Sequence, residues 1–523
     1  MKTDQATPAE EKLPLKSWLK NLRNLQDPKN HKPFEAACAK ALADYPDSKK
    51  LWAESADSAI RQKKWGAAIQ RLNRSLRLMD SEDTKRGPTL RKLANVYINL
   101  GQPMEASLHI AKALEDRPAD LLLRNALAGV SLLTPGGLAD PSPWQQLAAA
   151  PELATADDAT RVRIVAACVA GLRLAGDFSA ARALFAAHYN KQDPAWVDHV
   201  KDGYSRATIY QNGRTRVEYY TKLFDTSTLE PVEATQLAFT FDTMGQSWNQ
   251  SPYAYKPLNP LNVDLFSVRK RTRKDFHQDF PREDFLRLAL PVARCYPDSV
   301  ALGQSLGAYC TLYYASWVPG CRILATAPQN PMNPKYSSKS YANYELFRQE
   351  YDMRENEASA PTIVYDPKSK DDGPYVRNSL QHAFPNARFV EYPYCGHSIA
   401  LYLLETGRLK SSTLGFCKGV PFPEFDRDRR RLSSEYFRNL AKMNFAAGRK
   451  RWALAMLTKA LELGNTQDRT QQMIAKMDPR PLVIMDPEPL PNLAAVPLPT
   501  TKASTSGEKE PGLIGWLFNG LKK

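Results

Sequence analysis

The stretch Ser299-Val300-Ala301-Leu302-Gly303-Gln304-Ser305-Leu306-Gly307-Ala308-Tyr309 constrains this chain of 523 residues more than any other. Val300, Ala301 and Leu302 form a short apolar run that reads as a buried strand, and residues 308–317 read as a helix. Between them lies a Gly-x-Ser-x-Gly pentapeptide, Gly303 to Gly307. A serine on a strained strand-to-helix turn needs glycines around it, because backbone and side chains crowd it there. The turn also offers the Leu306 N–H and the positive end of a helix to a developing oxyanion. By chance alone such a pentapeptide turns up in about one chain in six of this length. Its context has to decide what it means.

Downstream, Thr362-Ile363-Val364-Tyr365 is a strand signal followed by a loop carrying Asp371 and Asp372. Residues 387–392 are strand-like again, and the turn Pro393-Tyr394-Cys395-Gly396 delivers His397. A serine hydroxyl needs an adjacent base to attack a carbonyl at neutral pH, and that base needs a carboxylate to hold its tautomer. Ser, then Asp, then His, each after its own strand, is the chain order of the α/β-hydrolase superfamily. The sequence resembles that superfamily over about residues 205–425.

The resemblance implies an α/β fold whose sheet carries helices on both faces. It implies Ser305 as nucleophile, His397 as base and Asp372, or its neighbour Asp371, as the orienting acid. Asp372 is preferred because it lies nearer the following helix. Leu306 is expected to give one oxyanion N–H, and the loop after the strand Leu237–Phe241 the other. Met244 and Thr243 are the candidates there, although Asp242-Thr243 stands where the family has His-Gly.

Val263 to Val268 reads as a further strand, followed by Arg269-Lys270-Arg271-Thr272-Arg273-Lys274. Arg269, Lys270 and Arg271 are candidate substrate-binding residues for a phosphate or an anionic sugar, since open α/β sheets bind ligands near strand ends. A solvated basic loop is the competing reading. His277 and Cys395 lack a chemical partner in the sequence and read as packed side chains. Residues 321–328 are expected as the sixth strand, and 329–360 as an insertion before the acid loop.

The flanks have another texture. Trp52, Ala56, Ala68, Leu72, Leu90, Ala94, Tyr97, Ala106, Ile110, Ala113 and Pro118 fall on a repeating helical spacing. They resemble tetratricopeptide repeats, in which small residues let paired helices approach. Phe437, Leu440, Ala441, Gly448, Ala453, Leu457 and Ala460 repeat the spacing. The expected organisation is a polar segment 1–30, an all-α repeat domain 31–203, a catalytic domain 204–426, a helical hairpin 427–477, a Pro-rich linker 478–510 and an amphipathic segment 511–523. Leu513, Leu517 and Leu521 share a face of that last segment, beside Trp516 and ahead of Lys522 and Lys523. This suits contact with an anionic membrane surface, and docking into a groove on the protein itself is the equal alternative.

Composition narrows the classes. Seven scattered cysteines have no Cys-x-x-Cys spacing, so a reducing compartment is expected and neither metal nor cofactor is implied. Residues 1–11 contain no apolar core of a secretory signal. The expected address is therefore cytoplasmic, with peripheral contact at the inner membrane. The net charge of +15 comes without a nucleic-acid-binding motif, so no nucleic-acid partner is expected.

The expected function is a serine esterase acting through an acyl-serine. Polysaccharide O-acyl transfer on the same constellation is the first alternative, and a repeat scaffold with a degenerate hydrolase domain the second. Repeats beside an esterase-like domain are similar, as an analogy of architecture, to bacterial cell-surface glycan systems. The repeats are expected to bind a protein partner.

Overall fold

The computed structural model describes residues 13–25, 31–337, 342–464 and 468–477. The described residues divide into two compact units, one drawn from 1–238, 259–271 and 279–299, the other from 239–258, 272–278 and 300–523.

The first unit begins with α1 (Leu15–Asn24), α2 (His31–Asp44), α3 (Lys49–Arg61), α4 (Trp65–Arg77), α5 (Arg86–Asn99) and α6 (Pro103–Asp116). There follow α7 (Leu121–Ser131), α8 (Ser142–Ala148), α9 (Asp158–Leu174), α10 (Phe178–His188) and α11 (Pro194–His199). The alanines of the repeat spacing sit in the seams. Ala56, Ala68, Leu72, Leu90 and Ala113 share one buried cluster, and Ala94, Ala106 and Ile110 the next. A larger side chain at Ala68 or Ala106 would hold the paired helices apart, which is why small residues recur there.

Eight strands form one mixed sheet in the order β1 (Tyr204–Gln211), β2 (Thr215–Lys222), β4 (Val263–Lys270), β3 (Gln236–Phe241), β5 (Asp298–Gln304), β6 (Arg322–Thr326), β7 (Thr362–Tyr365) and β8 (Arg388–Glu391). The pairs β1–β2 and β2–β4 are antiparallel, and β5 to β8 are parallel. β7 and the middle of β5 and β6 are buried, mostly apolar runs, as the interior of a parallel sheet requires, whereas β8 at the edge has Val390 as its one buried residue. This is an α/β-hydrolase sheet with tetratricopeptide-like helical repeats, as expected. The sixth strand falls within 321–328.

β1 carries no clear alternation, and its pairing with β2 organises it. One local expectation changes. β4 runs on through Arg269 and Lys270, which were expected in a loop. Arg269 faces Arg216 in the β2 ladder, and its guanidinium reaches Glu218 at 3.0 Å. That long-range pairing draws two basic residues into the sheet.

The remaining helices are α12 (Tyr255–Leu258), α13 (Arg282–Ala293), α14 (Leu306–Tyr314), α15 (Asp372–Tyr375), α16 (Gln381–Ala383), α17 (Ile399–Glu405), α18 (Leu409–Cys417), α19 (Ser434–Ala446), α20 (Lys450–Glu462) and α21 (Asp468–Met477). Ala441, Leu457 and Ile474 close the core of the last three. Among the described residues no helix is long and apolar enough to cross a membrane. The expected linker 478–510 and amphipathic segment 511–523 lie outside the described residues, as does most of 1–30.

Candidate active site

Ser305 stands between β5 and α14 with φ 54° and ψ −122°, a left-handed region that costs a non-glycine residue of order 1–3 kcal/mol. The surroundings enforce it. The Ser305 N–H donates to the Thr326 carbonyl of β6 at 3.0 Å, and its own carbonyl accepts from Tyr309 and Gln329. A Cβ on Gly303 would stand 2.4 Å from the Gly307 carbonyl oxygen, and one on Gly307 would stand 2.8 Å from that of Phe241. Both glycines are therefore required by close approach. Leu306 opens α14, so its N–H precedes the first intrahelical bond.

The turn after β8 brings His397 to this serine. His397 Nε2 lies 2.8 Å from Ser305 Oγ, and Nδ1 lies 2.9 and 3.1 Å from the two carboxylate oxygens of Asp372. These partners assign the tautomer: Nδ1 donates to Asp372 and Nε2 accepts from the hydroxyl. Asp372 is fully buried at the start of α15, whereas Asp371 is exposed and has no hydrogen bond to the imidazole. Burial favours neutral His397, but the charge and hydrogen bond of Asp372, with the charge of Asp371, outweigh it. The imidazole is held above its ordinary value.

The loop after β3 lies against the elbow, since a Cβ on Gly307 would stand 3.7 Å from Thr243 Cγ2. Gln246 organises that loop. Its Oε1 accepts from the Thr243 N–H at 3.0 Å and from the Thr243 hydroxyl at 3.3 Å, while its own N–H donates to the Thr243 carbonyl at 3.1 Å. Of the two expected second donors, Thr243 therefore has its N–H engaged by Gln246, and Met244 is the next residue along. His277 is buried beside this loop with Nε2 3.2 Å from the Asp242 carbonyl oxygen. Cys395 is also buried, and burial pushes its thiol up.

Ser305, His397, Asp372, Leu306, Thr243 and Met244 all belong to the second unit, whereas Arg269, Lys270 and Arg271 belong to the first. Arg269 and Lys270 are buried. Arg271 is partly exposed, donates to the Gly213 carbonyl at 2.8 Å and lies over the Trp65 ring.

Sequence reasoning missed Gln246 and Asp366. Asp366 follows β7 directly, is buried, and accepts the Gly396 N–H at 2.7 Å and the Lys368 N–H at 2.8 Å. An acid directly after a buried apolar strand, thirty residues before the histidine turn, was the available signal.

No family model and no curated protein matches the chain. Among solved structures it is similar to Est1E from Butyrivibrio proteoclasticus, at 15% identity over 41% of this chain and 99% of that one, with a TM-score of 0.26. It is similar to MGS-M1, an α/β-hydrolase from a Medee basin deep-sea metagenome library, at 12% identity over 49% and 98%, TM-score 0.28. It is also similar to a Podosopora anserina chain described as a kinesin light chain with TPR-like repeats, at 16% identity over 33% and 92%, TM-score 0.28. At such TM-scores these likenesses add nothing to what strand order and connections already show.

Proposed function

We propose that the chain is a serine hydrolase of esterase type, cleaving an acyl ester through an acyl-serine intermediate. The hydrogen-bonded line from Ser305 Oγ through His397 to Asp372, at 2.8 and 2.9 Å, carries this reading. As Oγ bonds to the acyl carbon, its proton passes to His397 Nε2. The oxyanion takes the Leu306 N–H and, in this reading, that of Met244. His397 then returns the proton to the departing alkoxide, leaving acyl-Ser305. Water repeats the sequence from the other side: its proton goes to His397, the acid leaves, and Ser305 recovers its hydroxyl. Asp372 stays ionised and holds the imidazole in place.

A sugar hydroxyl in place of water turns the second half-reaction into polysaccharide O-acyl transfer, the second reading. Arg271 is the proposed contact for an anionic sugar or phosphate, with Arg269 and Lys270 shaping the strand behind it. A protein partner on the repeats and an anionic membrane surface for residues 511–523 complete the proposal, at the cytoplasmic face of the inner membrane.

Short nitrophenyl acyl esters, with and without a serine-directed fluorophosphonate, test it. Hydrolysis blocked by the probe and absent from Ser305→Ala is the expected outcome. An equally active Ser305→Ala protein would sink the assignment. A wild-type protein that neither hydrolyses nor labels returns the scaffold reading. An added glycan that diverts the acyl group from water identifies transfer.

A further inference from the structure

We propose that the C-terminal helical hairpin is a wall of the active centre, and that Asp366 and Asn439 are positioning residues that fix the loop 393–397 and so place His397. The proposal rests on the reading of His397 as the base.

Asp366 ties two loops together. One oxygen takes the Gly396 N–H at 2.7 Å and the other the Lys368 N–H at 2.8 Å. A single buried side chain thus joins the start of the acid loop to the residue immediately before the base. It does not serve as the acid itself, because His397 Nδ1 is engaged by Asp372.

Asn439 of α19 meets the same loop. Gly396 has φ +64°, and a Cβ there would stand 2.7 Å from Asn439 Nδ2 and 3.0 Å from its Cγ. Asn439 cannot easily give way. Its Nδ2 donates to Glu435 at 3.0 Å and its Oδ1 accepts from Lys442 at 3.0 Å. Glu435 is buried and pairs with Arg438, whose Nε donates to it at 2.8 Å. Glu405 of α17 accepts the Glu435 N–H at 3.1 Å and the Ser433 hydroxyl at 2.5 Å, which fixes the start of α19. Tyr394 packs edge-on against Tyr436 at 6.1 Å. The hairpin that resembles a spare repeat therefore backs the histidine turn. Reacting groups lose about 100-fold in rate for a 1 Å misplacement, so this backing bears directly on turnover.

The test uses the full-length protein, a nitrophenyl acyl ester and the rate of fluorophosphonate labelling of Ser305. Asp366→Ala and Gly396→Ala are expected to lower kcat and labelling by about 10- to 100-fold while KM changes by less than about threefold. Asp366→Asn keeps an oxygen for the Gly396 N–H and should stay within about fivefold of wild type. Adding Asn439→Ala to Gly396→Ala opens the space and should recover at least about threefold in kcat; the left-handed φ keeps it below wild type.

A wild-type kcat in Asp366→Ala overturns the proposal, as does an absence of recovery in the double variant. Thermal midpoints are measured throughout, and should Asp366→Ala fail to fold, the Gly396 pair decides. A wild-type protein that neither hydrolyses nor labels overturns the hydrolase reading, and the proposal with it. A labelled wild type with unaffected variants overturns the proposal alone.

Discussion

Gln246 holds the backbone N–H of Thr243 through its side-chain carbonyl at 3.0 Å, in the loop that lies against the nucleophile turn. If Met244 supplies the second oxyanion donor, Gln246 shapes the loop without blocking it. Gln246→Ala is then expected to lower kcat by about 10-fold, less than the 10²–10³ of a deleted donor. A rise in kcat would instead make Thr243 the donor and Gln246 its restraint.

The two neighbouring acids should separate cleanly. Asp372→Asn removes the acceptor that fixes the His397 tautomer, and turnover should fall by roughly 10³–10⁴. Asp371→Asn should stay within about threefold, because its side chain acts on the imidazole only through its charge. Steady-state kinetics on both variants decide the matter, and the reverse pattern reassigns the acid.

The pH profile follows from the direction of the His397 shift. The base works as neutral imidazole, so activity is present above its folded pKa and lost as pH falls through it. Because Asp372 and Asp371 hold the imidazole above its ordinary 6.5, the acid limb of kcat/KM should lie above 6.5. In Asp372→Asn the residual activity should have its acid limb at lower pH. A limb that does not move would show that Asp372 is not what raises the imidazole.

The apolar terminal segment gives a separate expectation. Leu513, Ile514, Trp516, Leu517, Phe518 and Leu521 fall within nine residues, ahead of two lysines. Burial of one such side chain is worth about 1.5–3 kcal/mol, and each lysine adds roughly 1 kcal/mol near an anionic bilayer. The full chain should co-sediment with anionic vesicles at low salt, and a chain ending at Glu510 should not. Equal sedimentation would favour docking of the segment on the protein itself.

What the sequence disclosed, and what it hid, divides along contact range. The elbow is legible because strand, glycines, serine and helix are contiguous, and their crowding is local. His397 and the Asp371-Asp372 pair are legible as types after strands. In the sequence only nearness to the following helix favours Asp372 over Asp371, whereas burial and the hydrogen bond to His397 are what separate the two in space. Both readings of Arg269, as a substrate contact or as part of a solvated basic stretch, place it in a loop, because nothing near it in the chain foretells Glu218 on a neighbouring strand. Gln246, Asp366 and Asn439 act by holding backbone or crowding a glycine, roles open to many residue types. No motif marks such roles.

Arg173 on α9 and Asp264 on β4 are buried partners 3.2 Å apart. The same carboxylate accepts from the Lys222 N–H at 2.7 Å and from the hydroxyls of Tyr219 and Tyr296 at 2.8 and 2.5 Å. Removing one partner of such a pair costs about 3–5 kcal/mol. Arg173→Ala should therefore lower the thermal midpoint by on the order of 10 °C. A shift under about 2 °C would mean that water or the tyrosines replace the guanidinium.

That carboxylate also sets the terms on which the repeats can be exchanged. A graft that swapped residues 31–203 for another helical array would carry Arg173 away and strand Asp264 without a cation in the sheet's interior. Trading one set of repeats for another thus demands a compensating change on β4. The array and the antiparallel strands it supports have to be inherited together.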